Sequence, residues 1–105
     1  MNAFPTKLFI MLDEAEKEGH ADIISFHPDG KAFMIHKPEA LAQEVLPKYF
    51  RTSRLSSLQK QLSLYGFKRT RSGKDIGAIR HEFFQRDCRK LVGNIKRKKQ
   101  RVPED

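Results

Sequence analysis

The segment 53–69 combines a helical apolar stripe with a single outward cation. At about 100° per residue, four apolar side chains fall on one side of a helix: Leu55, Leu58, Leu62 and Tyr65. Lys60 falls almost opposite the centre of that side, between small serines, and the segment contains no carboxylate. A slim cationic face suits a DNA major groove, which is about 12 Å wide and lined by phosphates that repel acids. An ordinary amphipathic surface helix would show the same periodicity, so this segment alone does not decide between them.

The net charge of +8 is distributed very unevenly along the chain. Residues 1–45 contain four Lys and no Arg against eight acidic residues, a net charge of −4. Residues 46–105 contain eight Lys and nine Arg against five acidic residues, a net charge of +12. Such a concentration predicts an anionic partner, either nucleic acid or an anionic membrane surface. The Phe and Leu residues fall at core spacings rather than beside the cations, so nucleic acid is favoured and no membrane partner is expected.

Several functional classes are disfavoured by composition and spacing. The 105 residues suffice for one domain, and they include neither an apolar run of membrane-spanning length nor a hydrophobic leader after Met1. Cys88 is the single cysteine, which fits a reducing cytosolic or nuclear environment. The histidines and Cys88 lack metal-ligand spacing, and His81 is expected beside Phe83 or Phe84 in the core. Phosphate-binding loops and nucleophile motifs are also missing, so we expect no metal, no cofactor and no enzymatic activity.

Periodicity and turn residues predict an α+β fold. The first elements expected are a helix at 6–18 and two strands, at 23–27 and 32–36, around the turn Asp29-Gly30. A second helix is expected from Pro38, and Pro47 should kink or stop it; a third helix is expected at 54–65, capped by Thr52 or Ser53 and ended at Gly66. Two further strands, at 67–70 and 78–81, and a short helix within 85–95 complete the chain. This order predicts a winged helix-turn-helix, a three-helix core with a small antiparallel β-sheet. The third helix then occupies the recognition position.

Three domain segments follow from this arrangement. Residues 1–3 are expected to form a short arm, residues 4–95 the winged helix-turn-helix domain, and residues 96–105 a basic tail that cannot bury itself.

Several motifs resemble the DNA-binding domain of the heat-shock transcription factors. They are Val45-Leu46-Pro47-Lys48-Tyr49-Phe50, Gln61-Leu62-x-Leu64-Tyr65-Gly66-Phe67, and Asp29-Gly30 followed by Phe33. The resemblance extends over nearly the whole chain and implies a nuclear regulator of transcription that reads inverted GAA-type repeats in double-stranded DNA. Members of that family trimerise through a heptad coiled coil, and no sustained heptad is present here, so this chain is expected to be monomeric.

The resemblance also suggests roles for individual residues. Base reading is expected from Lys60, where the family has Arg, together with Ser57 and with Ser63, where the family has Asn. Lysine keeps the positive charge but lacks the planar guanidinium group, which can form two hydrogen bonds with guanine at once. The base preference is therefore expected to be looser or altered.

Residues that bracket the helix are expected to contact phosphates: Lys48, Arg51, Thr52, Ser53, Arg54, Tyr65, Lys68, Arg69 and Arg86. Solvated side chains, helix capping at Thr52 and Ser53, and core packing of Tyr65 are the alternatives, and packing is favoured for Tyr65.

Two other functions remain open at this stage. A winged-helix module could dock an acidic protein partner, in which case duplexes of different sequence should bind equally. A non-specific architectural or RNA-binding domain would require stacking aromatic residues on an exposed sheet, and the sequence offers none that is convincing.

Overall fold

The computed structural model describes residues 4–71 and 73–97. The predicted arm at 1–3, Ser72, and residues 98–105 of the predicted basic tail lie outside the described residues. The elements are helix α1 Phe4–Lys17, strand β1 Ile24–Phe26, strand β2 Ala32–Ile35, helix α2 Pro38–Ala40, a π-helical turn Leu41–Val45, helix α3 Leu46–Tyr49, helix α4 Leu55–Leu64, strand β3 Lys68–Arg69, strand β4 Ile79–Arg80 and a 3₁₀ helix Arg89–Asn94. The predicted order of elements is therefore confirmed.

The strands form one four-stranded antiparallel sheet in the order β1-β2-β4-β3. Both predicted hairpins are present, and the pairing of β2 with β4 joins them into this sheet. Phe33 of β2 lies opposite Phe26 on one side and opposite Ile79 on the other. All three side chains are buried, so the apolar face of the sheet is turned toward the helices.

The tight turn between β1 and β2 follows from the Asp29-Gly30 pair. Gly30 has a φ of +73°, in the left-handed region that favours glycine. The Asp29 carboxylate accepts a hydrogen bond from the Lys31 N–H at 2.8 Å. These two features hold the chain reversal that the sequence predicts.

Pro47 changes the helix in which it lies without ending it. The chain remains helical to Tyr49, and the turn Leu41–Val45 just before Pro47 is widened into a π-helical turn. Proline has no N–H to donate, and its ring would clash with the carbonyl four residues earlier, so a wider turn accommodates it. Leu41, Val45 and Leu46 stay buried, which keeps this segment packed on the core.

The start of α4 differs from the sequence-based expectation. The N-cap residue is Arg54, and no described side chain caps the helix, so the prediction that Thr52 or Ser53 caps it is wrong. The hydroxyl of Thr52 instead accepts a hydrogen bond from the Arg54 N–H at 3.0 Å. This bond forms a local turn before the helix. The Thr52 hydroxyl therefore does not accept from an N–H group of the first turn of α4.

The end of α4 is a glycine C-cap, as predicted. Gly66 has a φ of +83°. Its N–H donates to the Ser63 carbonyl at 3.1 Å, and the Phe67 N–H donates to the Leu62 carbonyl at 2.9 Å. This pair of bonds is a Schellman motif, and it turns the chain directly from α4 into β3.

Phe84 lies at the centre of an aromatic core. It is fully buried, and its ring centroid lies 5.2–5.8 Å from four other rings, those of Phe9, Phe26, Phe33 and Phe67. His81 packs against Phe67 and Phe83, at 5.1 and 5.7 Å between ring centroids, which agrees with its predicted place.

The last helical segment is a 3₁₀ helix. It covers Arg89–Asn94, inside the range 85–95 in which a short helix is predicted, and turns precede it. The segment buries Val92 and Ile95, and one short helical stretch is enough for that. Among the helices of the described residues, none combines the length and the apolar character that a membrane crossing requires.

Candidate nucleic-acid interface

Helix α4 presents a polar ridge to solvent. Leu58 and Leu62 are only 2% and 5% exposed, so they fix the helix against the core. The ridge consists of four exposed residues on the opposite side: Ser56, Gln59, Lys60 and Ser63. Their spacing of three, one and three residues places them on one face of a helix. The structure thus places Lys60 in solvent, facing away from the core.

A groove of about 460 Å³ runs along one flank of this ridge, between α4 and the sheet. We call it the wing-side groove, because it borders the loop 70–78 between β3 and β4, the wing. Its polar lining consists of Gln59, Ser63, Lys68, Arg69 and Arg71, and its floor of Leu62, Phe67 and Ile79. Three cations therefore lie beside one flank of the exposed helix.

A second groove of about 310 Å³ runs along the other flank, and we call it the α1-side groove. Its polar lining consists of Lys7, Arg51, Thr52, Ser57 and Gln61, and its floor of Phe4, Leu46, Phe50 and Leu58. The positive end of α4 borders the same groove, and no described side chain caps that end. Its first N–H groups are thus open to an anion, and the helix dipole favours one there.

The charges along the two flanks are of one sign, because no carboxylate among residues 4–71 and 73–97 lines either groove. Three acidic side chains make their contacts away from the grooves, namely Glu14, Asp22 and Asp29. A hydrogen bond from Lys37 lowers the pKa of Asp22, and the Lys31 N–H lowers the pKa of Asp29. Burial, followed by a hydrogen bond to Glu14 on α1, raises the pKa of the Tyr49 hydroxyl. The ridge and its grooves therefore form a continuous cationic and neutral-polar surface.

The structure brings most of the sequence-predicted residues to this surface. Lys60 and Ser63 lie on the ridge, Ser57, Arg51 and Thr52 line the α1-side groove, and Lys68 and Arg69 line the wing-side groove. Ser53 and Arg54 are exposed just before α4, and Lys48 is exposed on α3.

Two residues predicted to contact phosphates, Tyr65 and Arg86, make contacts within the fold. The ring of Tyr65 is half-buried, with its centroid 5.2 Å from that of Phe4, so the favoured core packing is present. The guanidinium of Arg86 donates to the Pro28 carbonyl at 3.0 Å and lies 6.0 Å from the Phe26 ring centroid. Arg86 lines neither of the two grooves, because the β1–β2 turn holds its side chain.

Four groove residues were absent from the sequence-based site: Lys7, Gln59, Gln61 and Arg71. Helical spacing could have identified the two glutamines, since Gln59 lies four residues before Ser63 and Gln61 four residues after Ser57. Lys7 belongs to α1, which is distant from α4 in sequence, and Arg71 belongs to the wing, which reaches the groove through the pairing of β3 with β4. Among the described residues no cluster of three His, Cys, Asp or Glu side chains could hold a metal ion.

Comparison with protein families and relatives identifies the domain. Residues 4–98 match the family model described as HSF-type DNA-binding. Heat stress transcription factor B-2a of Arabidopsis thaliana is 33% identical over 96 residues, which cover 91% of this chain and 30% of that protein. Heat shock factor protein 1 of Homo sapiens is 31% identical over 105 residues, covering 91% and 19% of the two chains. The chain thus spans less than a third of the length of either relative.

Solved structures agree with this assignment. Chaetomium thermophilum Skn7 with SSRE DNA superposes with a TM-score of 0.83 at 26% identity, covering 92% of this chain and all of that one. Skn7 of the same organism with HSE DNA gives a TM-score of 0.76 at 29% identity, covering 90% and 98%. These neighbours confirm the predicted winged helix-turn-helix fold.

Proposed function

Because the chain belongs to the HSF-type DNA-binding family, we propose that it is the sequence-specific, double-stranded DNA-binding domain of a heat-shock-factor-type transcription regulator. The family is one of DNA-binding domains rather than of enzymes, and we assign no catalytic role to the chain. The relatives are transcription factors, so the proposed location is the nucleus, where promoter DNA is found.

The observation that carries this proposal is the placement of the α4 ridge between two carboxylate-free, cation-lined grooves. An α-helix fits the major groove of B-DNA, and the two phosphate backbones then pass along its flanks. Cationic side chains line both flanks, and the described residues place no acidic side chain between them, which matches that geometry. The exposed ridge lies where base edges would be.

In the proposed complex, Lys60 donates to a guanine edge, and Ser57 and Ser63 complete the base contacts on its two flanks. Contacts to one phosphate backbone come from Lys48, Arg51, Thr52, Ser53 and Arg54, and contacts to the other from Lys68 and Arg69. Tyr65 can add only its hydroxyl, because its ring packs on Phe4. We assign Arg86 mainly to holding the β1–β2 turn.

The proposed target is DNA with inverted GAA-type repeats, in line with the HSE DNA bound by the Skn7 structure. One copy of this domain would read one repeat unit as a monomer. Since linked modules raise the effective concentration of the second contact, tight binding would require several linked copies. Trimerisation of the full-length factor through a coiled coil is part of the same proposal.

Fluorescence anisotropy of labelled duplexes tests the proposal. A duplex with an inverted GAA repeat should bind more tightly than a scrambled duplex of equal length and composition. The logarithm of the binding constant should fall linearly with the logarithm of salt concentration, with a slope of about −0.9 per phosphate contacted. Equal affinity for both duplexes would contradict the proposal and favour the module that docks an acidic protein.

A further inference from the structure

We propose that Gln59 is a second base-reading residue, which recognises an adenine next to the base pair read by Lys60. The inference rests on the proposed DNA-binding function and assigns part of its sequence specificity. Gln59 is exposed on the α4 ridge, and it lines the wing-side groove together with Ser63.

The position of Gln59 on the helix sets which part of the DNA it can reach. It precedes Lys60 by one residue, so the two side chains point about 100° apart around the helix axis. Lys60 points away from the core, and Gln59 points to the flank that faces the wing. With α4 in the major groove, two such side chains reach neighbouring base pairs rather than the same one.

The amide of Gln59 is available for recognition. Gln85 shows the contrasting case, since its amide donates to the Glu82 carbonyl at 3.2 Å. No hydrogen bond joins the Gln59 amide to another residue within 4–71 and 73–97. Because the side chain is exposed, water solvates its donor and its acceptor, and a base edge can replace that water. Both groups thus lie free on the surface proposed to face the bases.

The chemistry of a free amide favours adenine over the other bases. Adenine presents an acceptor, N7, and a donor, the N6 amino group, at its major-groove edge, and a glutamine amide matches both at once. Guanine presents two acceptors there, which suit the ammonium of Lys60 but leave the glutamine carbonyl facing an oxygen. Gln59 and Lys60 together therefore provide complementary partners for an adenine and a guanine at neighbouring positions.

A contact to phosphate is the competing role for Gln59, because Lys68, Arg69 and Arg71 line the same groove. The two roles predict different results. A phosphate contact contributes equally to every sequence, whereas an adenine contact acts at one base pair. The test must therefore measure base preference in addition to affinity.

Selection of bound duplexes from a random pool, compared between variants, separates these roles. Gln59→Met keeps the length of the side chain and removes the amide, and it should reduce the preference for adenine at one base pair by about tenfold. Lys60→Ala should affect a different, neighbouring base pair. Gln43→Met is the matched control, because it changes an exposed glutamine outside α4 and should leave the selected motif unchanged.

A modified base provides a second measurement. Replacing the selected adenine by 7-deazaadenine removes the N7 acceptor, and it should weaken binding of the unmodified protein but not of Gln59→Met. If Gln59→Met selects the same motif as the unmodified protein, or loses affinity equally for all duplexes, the inference about Gln59 is overturned while the proposed function stands. If the unmodified protein selects no motif at all, the proposed function fails together with the inference.

Discussion

The imidazole Nε2 of His27 lies 3.2 Å from a carboxylate oxygen of Asp75. His27 directly follows β1, and Asp75 lies in the wing, 48 residues later. The Nδ1 atom of the same ring lies 3.5 Å from a carboxylate oxygen of Asp29. One half-buried histidine thus ties the wing to the β1–β2 turn, and so helps to position the loop that borders the wing-side groove.

Asp75→Ala should loosen the wing without unfolding the domain. The pair is partly exposed, so we expect a loss of less than about 1 kcal/mol in the free energy of unfolding. Amide hydrogen exchange at Ile76 and Gly77 should become faster, because the wing loses its side-chain connection to β1. Asp87→Ala, at an exposed position outside the wing, is the control. Unchanged exchange in the wing of Asp75→Ala would contradict this role.

Lys60→Ala and Arg51→Ala should weaken DNA binding in different ways. Loss of the Lys60 base contact should cost about 1–3 kcal/mol on the preferred duplex and little on scrambled DNA. Loss of Arg51 from the α1-side groove should weaken all duplexes alike and reduce the salt slope by about 1. Anisotropy titrations over a range of salt concentrations measure both effects. Equal losses on both duplexes for Lys60→Ala would remove its assignment as a base-reading residue.

Gly66→Ala should destabilise the connection between α4 and β3. Gly66 has a φ of +83°, and a side chain there costs about 1–2 kcal/mol. The denaturant midpoint should fall accordingly. Gly93→Ala is the matched control, because Gly93 has no positive φ and a Cβ there meets no atom within 4 Å. We expect Gly93→Ala to change stability by less than about 0.5 kcal/mol, and a similar loss in both variants would argue against a special C-cap.

Phe84→Ala should be the most destabilising of these substitutions. Its ring is fully buried among four other aromatic rings, so truncation removes transfer energy and leaves a cavity. We expect a loss of about 3–5 kcal/mol, measured by denaturant unfolding. Phe83→Ala provides the comparison, because Phe83 is only half-buried and packs at the edge of the core. A smaller loss for Phe84→Ala than for Phe83→Ala would contradict the central place of Phe84.

Stability should depend on pH through His81. Burial lowers the pKa of His81 below its ordinary value of 6.5, and its Nδ1 accepts a hydrogen bond from the Phe83 N–H at 3.0 Å. Protonation of Nδ1 would remove that acceptor. The unfolded state binds this proton more tightly, so the contribution of His81 is complete above pH 6.5 and is lost as the pH falls through the folded-state pKa.

Thermal unfolding of the unmodified protein and of His81→Gln measures this effect. As the pH falls from about 7 to 5, Tm should decrease more steeply in the unmodified protein, because glutamine does not titrate. Above about pH 7.5 the two curves should run parallel, since the histidine is then neutral in both states. Parallel curves at all pH values would show that His81 titrates equally in the folded and unfolded states.

Features of this protein that depend on neighbouring residues were predictable from the chain alone. The apolar stripe of α4, the Asp29-Gly30 turn and the Gly66 C-cap arise from contacts within a few residues. The charge asymmetry between residues 1–45 and 46–105 is likewise a property of composition. These local preferences were sufficient to indicate the fold and the outward direction of Lys60.

Other features depend on contacts between residues far apart in the chain. Whether Pro47 stops or widens its helix, and whether β2 pairs with β4, is settled by how the elements pack into one core. Arg86 donates to the Pro28 carbonyl 58 residues away, a contact that no local pattern of the sequence indicates. The two grooves also require packing, because Lys7 and Arg71 come to opposite flanks of α4 only when α1 and the wing are in place. Helical periodicity specifies which side of α4 faces outward, but the groups that surround that side are assembled by long-range contacts, which no local pattern encodes.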